Sequence, residues 1–314
     1  MKLDRLRLMK HYFIMLDYPA LAAVSAVVRE GSFERAADAL GITPSAVSQR
    51  VRGLEERLGT VLIVRAQPCE PTDVGRALCA HFDQVRLLEA DLAPHLKPQF
   101  GKGEAPLILK IAVNSDSLAT WFPEAAAQFV QATGTLLDLI VDDEAHTADR
   151  LRSGEVSAVI TSDPEPIQGC STIELGSLRY RACASPEFIA RYFADGVDQR
   201  SLAKAPCLRF DRRDAVQTRW AADFHGVKLS APTHWVPSTQ GFLDFTEKGL
   251  AWGLHPEPLA LPCIAAGTLQ ELPPCEPLVV RLYWTVTRLQ AGSLRSLTDA
   301  VRKVAGAALV PRGA

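Results

Sequence analysis

The sequence predicts an α/β protein in which an all-α N-terminal region precedes a larger region of alternating strands and helices. Apolar residues between Gly31 and Arg65 recur at helical spacing, which predicts short helices there. Beyond Pro106, short apolar runs alternate with helical segments, the pattern of layered α/β domains. The length of 314 residues is too great for one small domain and fits two or three.

Composition narrows the class of protein. The apolar fraction of 47% and the charged fraction of 22% are those of a globular protein, and the net charge of −2 excludes a protein that coats nucleic acid through bulk charge. Seven scattered cysteines with no C-x-x-C spacing predict reduced thiols in a cytoplasm, without disulfides or a metal site. No segment has the apolar length that a membrane span needs.

The segment GSFERAADALGITPSAVSQRVRGLEERLGTVLIVR reads as two helices joined by a tight turn. Ser32 is placed to cap the first helix, and Gly41 supplies the turn. Thr43 is placed to cap the second helix, Pro44 suits its first position, and Gly59 ends it. The buried face of the first helix consists of Phe33, Ala36, Ala37 and Leu40.

The second helix has two faces of opposite character. Its apolar arc holds Val47, Val51, Leu54 and Leu58. The other side holds Ser45, Ser48, Gln49 and Arg52, which can all hydrogen-bond to base edges or phosphates. The alternative is an ordinary αα-hairpin with a solvated face, but the close-packing Ala36-Ala37 pair favours a DNA-binding helix-turn-helix. The candidate DNA-binding residues are Ser32, Arg35, Thr43, Pro44, Ser45, Ser48, Gln49, Arg52 and Arg65.

This segment also resembles the N-terminal domain of LysR-type transcriptional regulators. The likeness lies in T-P-S-A-V-S-Q-x-V-x-x-L-E, in the L-G-x-x-L-x-x-R that follows, and in Pro71-Thr72-Asp73-Val74-Gly75. Ile63 departs from the usual Phe, and Cys69-Glu70-Pro71 is unusual in the wing. The resemblance implies a winged helix-turn-helix over residues 15–71, which leaves residues 1–14 as an N-terminal extension.

A long linker helix is predicted over residues 72–97. Its apolar stripe consists of Leu78, Phe82, Val85, Leu88 and Leu92. The stripe could pack on the chain's own DNA-binding domain, but a second copy of the helix is the better partner, since a two-fold dimer presents two recognition helices to one operator. We therefore expect a homodimer or homotetramer on promoter DNA. Pro98 and the Gly-Lys-Gly-Glu run then predict a hinge over residues 98–106.

The remaining residues, 107–314, predict a two-lobed domain. Strands are predicted at Leu107–Val113, Leu136–Val141, Val156–Thr161, Arg181–Ala184, Cys207–Phe210, His234–Val236, Leu250–Leu254 and Leu278–Val286, with helices near Ser117–Thr133, Thr147–Ser153 and Leu294–Ala307. The continuous apolar runs favour a parallel sheet covered on both sides. Lobe I is predicted at about 107–179 and 268–314, and lobe II at about 180–267. This is the layout of periplasmic-type binding proteins, with a small ligand between the lobes.

Polar residues that follow the predicted strands outline the ligand site. Asn114, Ser115 and Ser117 follow the first strand, where helix amides and hydroxyls suit a carboxylate. Asp142 and Asp143 follow the second strand, and Thr161 opens a Thr-Ser-Asp run after the third. Such a cleft suits a zwitterion, preferably a cationic amino acid. The alternative is that these residues are only helix caps and solvated acids.

The motifs AVNSDSLATWF, VDDEAHT, GFLDF and GLAWGLHPE resemble the ArgP/LysG (IciA-like) subgroup of LysR-type regulators, which respond to lysine or arginine. The resemblance implies control of the export or metabolism of basic amino acids. It implies that Asn114, Ser115 and Ser117 face the carboxylate, and it makes Asp142, Asp143, His146 and Asp244 candidates for the cationic group. Trp121 and Trp252 would wall the cleft, although a core position is the favoured alternative for both.

Other classes of protein are disfavoured. The chain lacks G-x-S-x-G, Walker A, G-x-G-x-x-G and H-E-x-x-H motifs, so the sequence predicts no enzyme, no catalytic residues, no metal and no cofactor beyond the small effector. An uptake receptor would carry a signal peptide and no helix-turn-helix. A LysR-type regulator of a different effector, or an amino-acid-binding protein without a regulatory role, remains the alternative. RNA polymerase is a candidate partner, and no membrane is expected.

Overall fold

The computed structural model describes residues 16–92, 107–141, 147–288, 292 and 294–311. The predicted N-terminal extension, the predicted hinge, and Asp142, Asp143 and His146 lie outside these residues. The chain divides into two compact units, Met1–Leu107 with Arg150–Val156 and Ile108–Asp149 with Ser157–Ala314. Within the described residues, no helix combines the length and the apolarity needed to cross a bilayer.

The first unit begins with three helices, α1 (Tyr18–Glu30), α2 (Phe33–Leu40) and α3 (Pro44–Leu58). Local signals set their ends as the sequence predicts. The Ser32 hydroxyl accepts the Arg35 amide hydrogen at the start of α2, and the Thr43 hydroxyl accepts that of Ala46 at the start of α3. Gly41 and Gly59 end these two helices in the left-handed conformation, at φ 64° and 67°.

One apolar core joins the three helices. The predicted buried faces meet there: Ala36 and Ala37 of α2 pack with Val47, Val51 and Leu54 of α3, and all five side chains are buried. The two alanines allow the helix backbones to approach closely, which confirms the expected packing of α2 on α3. Phe33, Leu40 and Leu58 lie at the edge of the same core.

A two-stranded hairpin follows and leads into a long helix. Strands β1 (Ile63–Val64) and β2 (Glu70–Pro71) pair antiparallel, and α4 spans Asp73–Leu92. Thr72 ties the helix to the hairpin, because its hydroxyl donates to the Val61 carbonyl at 2.9 Å and accepts the Gly75 amide hydrogen at 3.1 Å. A Cβ atom at Gly75 would collide with the Leu62 carbonyl oxygen, so this close approach requires glycine.

The apolar stripe of α4 divides in two. Leu78 and Phe82 pack against the core of α1, α2 and α3, which is the alternative that the sequence left open for the stripe. Leu88 is exposed, so the stripe is only partly covered within its own unit. Leu78 and Phe82 therefore serve the chain's own unit, and the dimer contact through the rest of the stripe stays a prediction.

The elements beyond Leu107 in chain order are β3 (Ile108–Val113), α5 (Ser115–Ala119), α6 (Phe122–Thr133), β4 (Leu136–Val141), α7 (Thr147–Ser153), β5 (Ala158–Thr161), β6 (Cys170–Ala184), α8 (Pro186–Tyr192), α9 (Gln199–Lys204), β7 (Cys207–Arg209), α10 (Val216–His225), β8 (Thr233–Trp235), α11 (Thr239–Glu247), β9 (Gly253–Pro256), α12 (Glu257–Ala266), β10 (Gln270–Glu271), β11 (Leu278–Thr287) and α13 (Arg295–Ala308).

Within the described part of the chain, the main sheet has seven strands in the order β10-β6-β11-β5-β3-β4, with β9 also paired to β6. Strands β3, β4 and β5 are parallel, as the sequence predicts, whereas β11 is antiparallel to both β5 and β6. The expectation of a parallel sheet therefore holds for these three strands and is wrong for β6, β9, β10 and β11, which pair antiparallel. The 15-residue strand β6 extends the sheet beyond β11, because its last residues pair with β9 and β10. Strands β7 and β8 form a separate parallel pair.

Three predicted elements differ most from the observed ones, and the other strands predicted beyond Pro106 match to within two residues at each end. The predicted helix Ser117–Thr133 is split at Thr120 and Trp121, where the Thr120 backbone leaves the helical region. The predicted strand Arg181–Ala184 is only the end of β6, because the preceding residues are of mixed exposure and carry no continuous apolar run. The strand predicted at Leu250–Leu254 begins at Gly253 instead.

Candidate functional site

The polar face of α3 points to solvent. Ser45, Gln49 and Arg52 are exposed and Ser48 is half-buried, while Val47, Val51 and Leu54 on the opposite face are buried. The apolar stripe fixes the helix, which leaves four short or flexible polar side chains free to meet another surface. Both observations agree with the two faces that the sequence predicts.

The other predicted DNA-binding residues surround this face or support it. The hydroxyls of Ser32 and Thr43 cap α2 and α3, and Pro44 occupies the first position of α3. Arg35 is exposed, and the Arg65 guanidinium lies over the Phe33 ring, 4.9 Å from its centroid. Both arginines therefore add positive charge to the edge of the surface formed by α2 and α3.

The second unit contains a cavity of about 550 Å³. It lies at the carboxyl ends of β3 and β5, where parallel strands leave a crevice. Asn114, Ser115 and Asp116 line it after β3, and Ser162 and Asp163 line it after β5. The facing walls come from residues 210–217, from the start of α11 and from β9.

Asp116 is the centre of a hydrogen-bond cluster in this cavity. The Tyr180 hydroxyl donates to its Oδ2 and the Thr239 hydroxyl to its Oδ1, both at 2.7 Å. The Ser115 hydroxyl lies 2.7 Å from that of Thr239. Burial raises the pKa of Asp116, and the two hydrogen bonds partly offset that effect by stabilising the carboxylate. The two bonds to Thr239 bring residues that are more than 120 positions apart in the sequence together in one wall.

A second acid lies on the facing wall. The carboxylate of Asp214 accepts the amide hydrogens of Phe210 at 2.9 Å and Val216 at 3.0 Å, which closes the loop that leads into α10. Burial raises the pKa of Asp214 as well. The charged residues that line the cavity are Asp116, Asp163, Asp211 and Asp214 against Arg213 and Arg219. Among the described residues that line the cavity, acidic groups therefore outnumber basic ones, four to two.

Two further polar side chains line the cavity from buried positions. His255 is 1% exposed, its Nε2 lies 3.0 Å from the Thr246 hydroxyl, and burial lowers its pKa to about 4. The imidazole is therefore neutral at pH 7. Gln217 is also 1% exposed, and its Oε1 has no hydrogen-bond partner within the described part of the chain.

Several residues predicted to contact the effector lie elsewhere. Ser117 is fully buried and its hydroxyl accepts the Trp121 indole hydrogen at 3.1 Å, while the buried Thr161 hydroxyl accepts the Asp163 amide hydrogen at 3.0 Å. Asp244 is exposed on α11 and accepts from Gln240. None of Ser117, Thr161 and Asp244 lines the cavity, because each side chain serves its own local structure.

The residues predicted to bind the ligand after the first strand, β3, only partly line the cavity. Asn114 and Ser115 line the cavity, but the Asn114 side chain is used to cap α5 by accepting the Ser117 amide hydrogen at 3.1 Å. Helix α5 has only five residues and carries an acid at its second position, which makes it a poor receptor for a carboxylate. The predicted carboxylate site at this helix is not supported.

The two tryptophans belong to the core. Trp121 is 4% exposed, and Trp252 is fully buried against Trp220, with ring centroids 5.2 Å apart. Neither lines the cavity, so the core alternative holds for both.

Sequence reasoning missed the residues that dominate the cavity: Asp116, Tyr180, Asp214, Gln217 and Thr239. Asp116 lies within the NSDS run, directly between two residues that the sequence predicts to bind the ligand. This position was the one signal in the sequence that pointed to Asp116. The other four residues lie on β6 and at the starts of α10 and α11. Only the fold brings them to one cavity.

Both units match known family models. Residues 19–76 match the model described as "Bacterial regulatory helix-turn-helix protein, lysR family", and residues 103–306 match the "LysR substrate binding domain". The chain belongs to the LysR family of bacterial transcriptional regulators. The fold class and the subgroup predicted from the sequence are confirmed by this family and by the relatives named ArgP and LysG.

LysR-family relatives align over nearly the whole chain. The "HTH-type transcriptional regulator ArgP" of Pseudomonas aeruginosa is 44% identical over 297 residues, which covers 95% of this chain and 98% of the relative. The "HTH-type transcriptional regulator LysG" of Mycobacterium tuberculosis is 39% identical and covers 92% of this chain and 94% of the relative. These relatives are transcriptional regulators and not enzymes.

Solved structures of LysR-family members have the same fold. ArgP from Mycobacterium tuberculosis is 37% identical with a TM-score of 0.73, and the alignment covers 95% of this chain and all of that one. LysG from Corynebacterium glutamicum, solved with "bound effector Arg", is 37% identical with a TM-score of 0.64, over 94% of this chain and all of that one.

Proposed function

We propose that this LysR-family regulator controls its target genes in response to a basic amino acid, lysine or arginine, that binds in the cavity of the second unit. The observation that carries the proposal is the excess of acidic side chains that line the cavity. A regulator of this kind would control the export or metabolism of basic amino acids. We assign no catalytic reaction to the cavity.

The charge of the cavity supports a cationic ligand. Asp116 and Asp214 are both held in partly buried positions where ionisation is unfavourable, and a bound cation would compensate their charge. Arg213 and Arg219 line the same cavity, and their positive charge suits a carboxylate. A basic amino acid carries both kinds of group. The related LysG structure with bound arginine supports the same class of ligand.

The surface of the first unit supports the DNA partner. We propose that Ser45, Ser48, Gln49 and Arg52 meet base edges and phosphates in a major groove, and that Arg35 and Arg65 contact phosphates at its edge. Ser32, Thr43 and Pro44 contribute by fixing the ends of the two helices. None of these four α3 side chains carries a negative charge, which is compatible with the charge of DNA.

Assembly and coupling complete the proposal. The exposed Leu88 on α4 fits a second copy of the same helix, so we propose a homodimer that can pair into a tetramer on promoter DNA. We also propose that the two lobes have the boundaries predicted from the sequence and that they close around the ligand. RNA polymerase is the candidate partner of the DNA-bound form.

Calorimetric titration of the full chain with L-arginine and L-lysine tests the effector. We expect both to bind the wild-type protein, and Asp116→Asn to weaken binding by about ten- to a hundredfold, since a charged hydrogen bond contributes about 1.5–3 kcal/mol. Asp195→Asn, an exposed aspartate that does not line the cavity, is the matched control.

The outcomes separate the two possible sites. Weaker binding in Asp244→Asn with unchanged binding in Asp116→Asn would support the sequence-based assignment and exclude the cavity. Absence of binding by either amino acid to the wild-type protein would refute the effector proposal. It would leave the alternative of a LysR-type regulator with another effector.

A further inference from the structure

The Arg65 guanidinium is held on its flat face and is free along its edge. Its central carbon lies over the Phe33 ring, 4.9 Å from the ring centroid, a distance at which a cation and an aromatic face attract each other. Arg65 is exposed, and within the described part of the chain no hydrogen bond or ion pair engages its N–H groups. The ring therefore covers one face of the guanidinium and leaves the five donors at its edge for another group.

The Phe33 ring has a fixed position relative to α3. Phe33 is the first residue of α2, and it lies half-buried at the edge of the three-helix core. Helix α2 packs on α3 in that core through the buried Ala36 and Ala37. A side chain that rests on the Phe33 ring is therefore placed with respect to the exposed polar face of α3.

The hairpin loop that follows Arg65 is tied to the same part of the unit. The Cys69 amide donates to the Gly31 carbonyl at 2.8 Å, in the turn between α1 and α2. A Cβ atom at Gly31 would lie only 2.9 Å from the Cβ of Pro68, so the loop packs closely against this turn. The backbone of the loop and the guanidinium of Arg65 are thus both held against the start of α2.

Such an arrangement favours the binding of a phosphate. A long side chain loses rotamer freedom when it is immobilised at an interface, and the loss is smaller when the side chain is already held in place. A guanidinium binds a phosphate through two parallel N–H bonds, so the orientation of its plane decides whether both bonds form. We infer that Phe33 is a positioning residue for DNA binding, whose ring orients the Arg65 guanidinium toward a DNA phosphate. This inference rests on the proposed function, in which Arg65 contacts a phosphate.

Anisotropy titrations of the full chain with a mixed-sequence DNA duplex test the inference, since phosphate contacts do not depend on base sequence. Phe33→Leu keeps an apolar side chain at the edge of the core and removes the ring. We expect the Kd to rise about fivefold for each bound copy, the effect of one cation–π contact, and Phe33→Tyr, which keeps the ring, to restore wild-type binding. Tyr192→Leu is the matched control and keeps the wild-type Kd, because it removes a half-buried ring from the exposed Arg191, 5.1 Å away, in the second unit.

Two arginine variants separate positioning from stability. In the Arg65→Gln background the guanidinium is gone, so the addition of Phe33→Leu should change the Kd by less than about 1.5-fold. In the Arg52→Gln background Arg65 remains, and the same addition should still raise the Kd about fivefold. A residue that only stabilises the core would lower Tm and weaken DNA binding equally in both backgrounds. That result overturns the inference.

The salt dependence tests the phosphate contact itself. Arg65→Gln should weaken binding and reduce the slope of log Kd against log salt concentration by about 0.9 for each bound copy. If it does neither, the proposed phosphate contact of Arg65 fails, and the role of Phe33 fails with it. If Arg65→Gln weakens binding while Phe33→Leu binds like the wild type, only the positioning role is overturned and the proposed function stands.

Discussion

The polar face of α3 and the cavity of the second unit use polar side chains in opposite ways. Ser45, Gln49 and Arg52 project from the helix into solvent, and the buried apolar stripe beneath them fixes only the backbone. In the cavity, Asp116 is held by Tyr180 and Thr239 through two hydrogen bonds of 2.7 Å. One surface is adaptable, and the other is arranged before any ligand arrives.

Substitutions at these two surfaces are therefore expected to have different effects. Exposed side chains can be changed at little cost to the fold, so substitutions on α3 affect what the helix contacts. Buried polar groups in the cavity are coupled to stability and to pH, because burial disfavours their charged forms. The following predictions test this contrast, from the largest expected effect to the smallest.

Leu54→Ala removes a fully buried side chain from the core beneath the polar face of α3. We expect a loss of about 2–5 kcal/mol in the free energy of unfolding of the first unit, because the neighbours cannot close the cavity left behind. Calorimetric melting of the full chain measures it. Val61→Ala, at an exposed position of the same unit, provides the reference and changes little. A loss for Leu54→Ala as small as that of the reference would show that the stripe does not hold the helix.

His255 makes the second unit sensitive to acid. Its folded-state pKa of about 4 lies below the usual 6.5, so the unfolded chain binds more protons between these values. The contribution of the neutral ring to stability is therefore complete above pH 6.5 and is lost as the pH falls to about 4, by about 3 kcal/mol. Denaturant unfolding at pH 7 and 4.5 should show a smaller drop for His255→Gln than for the wild type.

Asp116 and Asp214 act in the opposite direction. Their raised pKa values make their contribution to stability complete below the unfolded-state value and lost as the pH rises. The difference between the wild type and His255→Gln isolates the imidazole, since both proteins carry the two acids. The exposed His234→Gln is the control and should keep the wild-type drop. Identical drops in all three proteins would contradict the role assigned to His255.

Gln49→Ala tests the adaptable surface and has the smallest effect on the protein itself. We expect specific promoter binding to weaken by about 1–3 kcal/mol, the value of one bidentate base contact, with non-specific binding unchanged. The free energy of unfolding should stay within about 0.5 kcal/mol of wild type. Gel-shift titrations at several salt concentrations separate the two binding modes. Gln128→Ala, outside the first unit, is the reference. If Gln49→Ala binds the promoter as tightly as this reference does, Gln49 does not contact DNA.

The contrast also explains how far the sequence alone could lead. The ends of α2 and α3 depend on neighbours within four residues, such as the Ser32 and Thr43 caps and the left-handed Gly41, so the pattern predicted them. The family resemblance and the short parallel strands followed from equally local signals. These parts of the fold needed no knowledge of distant contacts.

The cavity needed such knowledge. Asp116 gains its environment from Thr239, 123 residues further along the chain, and from Tyr180 in the strand that crosses the sheet. Ser117 looked equivalent to Ser115 in the sequence, yet one turns inward to the Trp121 indole and the other toward the cavity. Side-chain direction within a five-residue helix depends on packing, which periodicity does not encode.

The Gly75 contact has a mechanical consequence. Because α4 starts against the Leu62 carbonyl and is tied to Val61 through Thr72, the helix and the three-helix head form one rigid lever. The 20 residues of α4 give that lever a length of about 30 Å, close to one turn of B-DNA. A rotation of its far end would therefore turn α3 as well and change the angle at which α3 is presented to a groove.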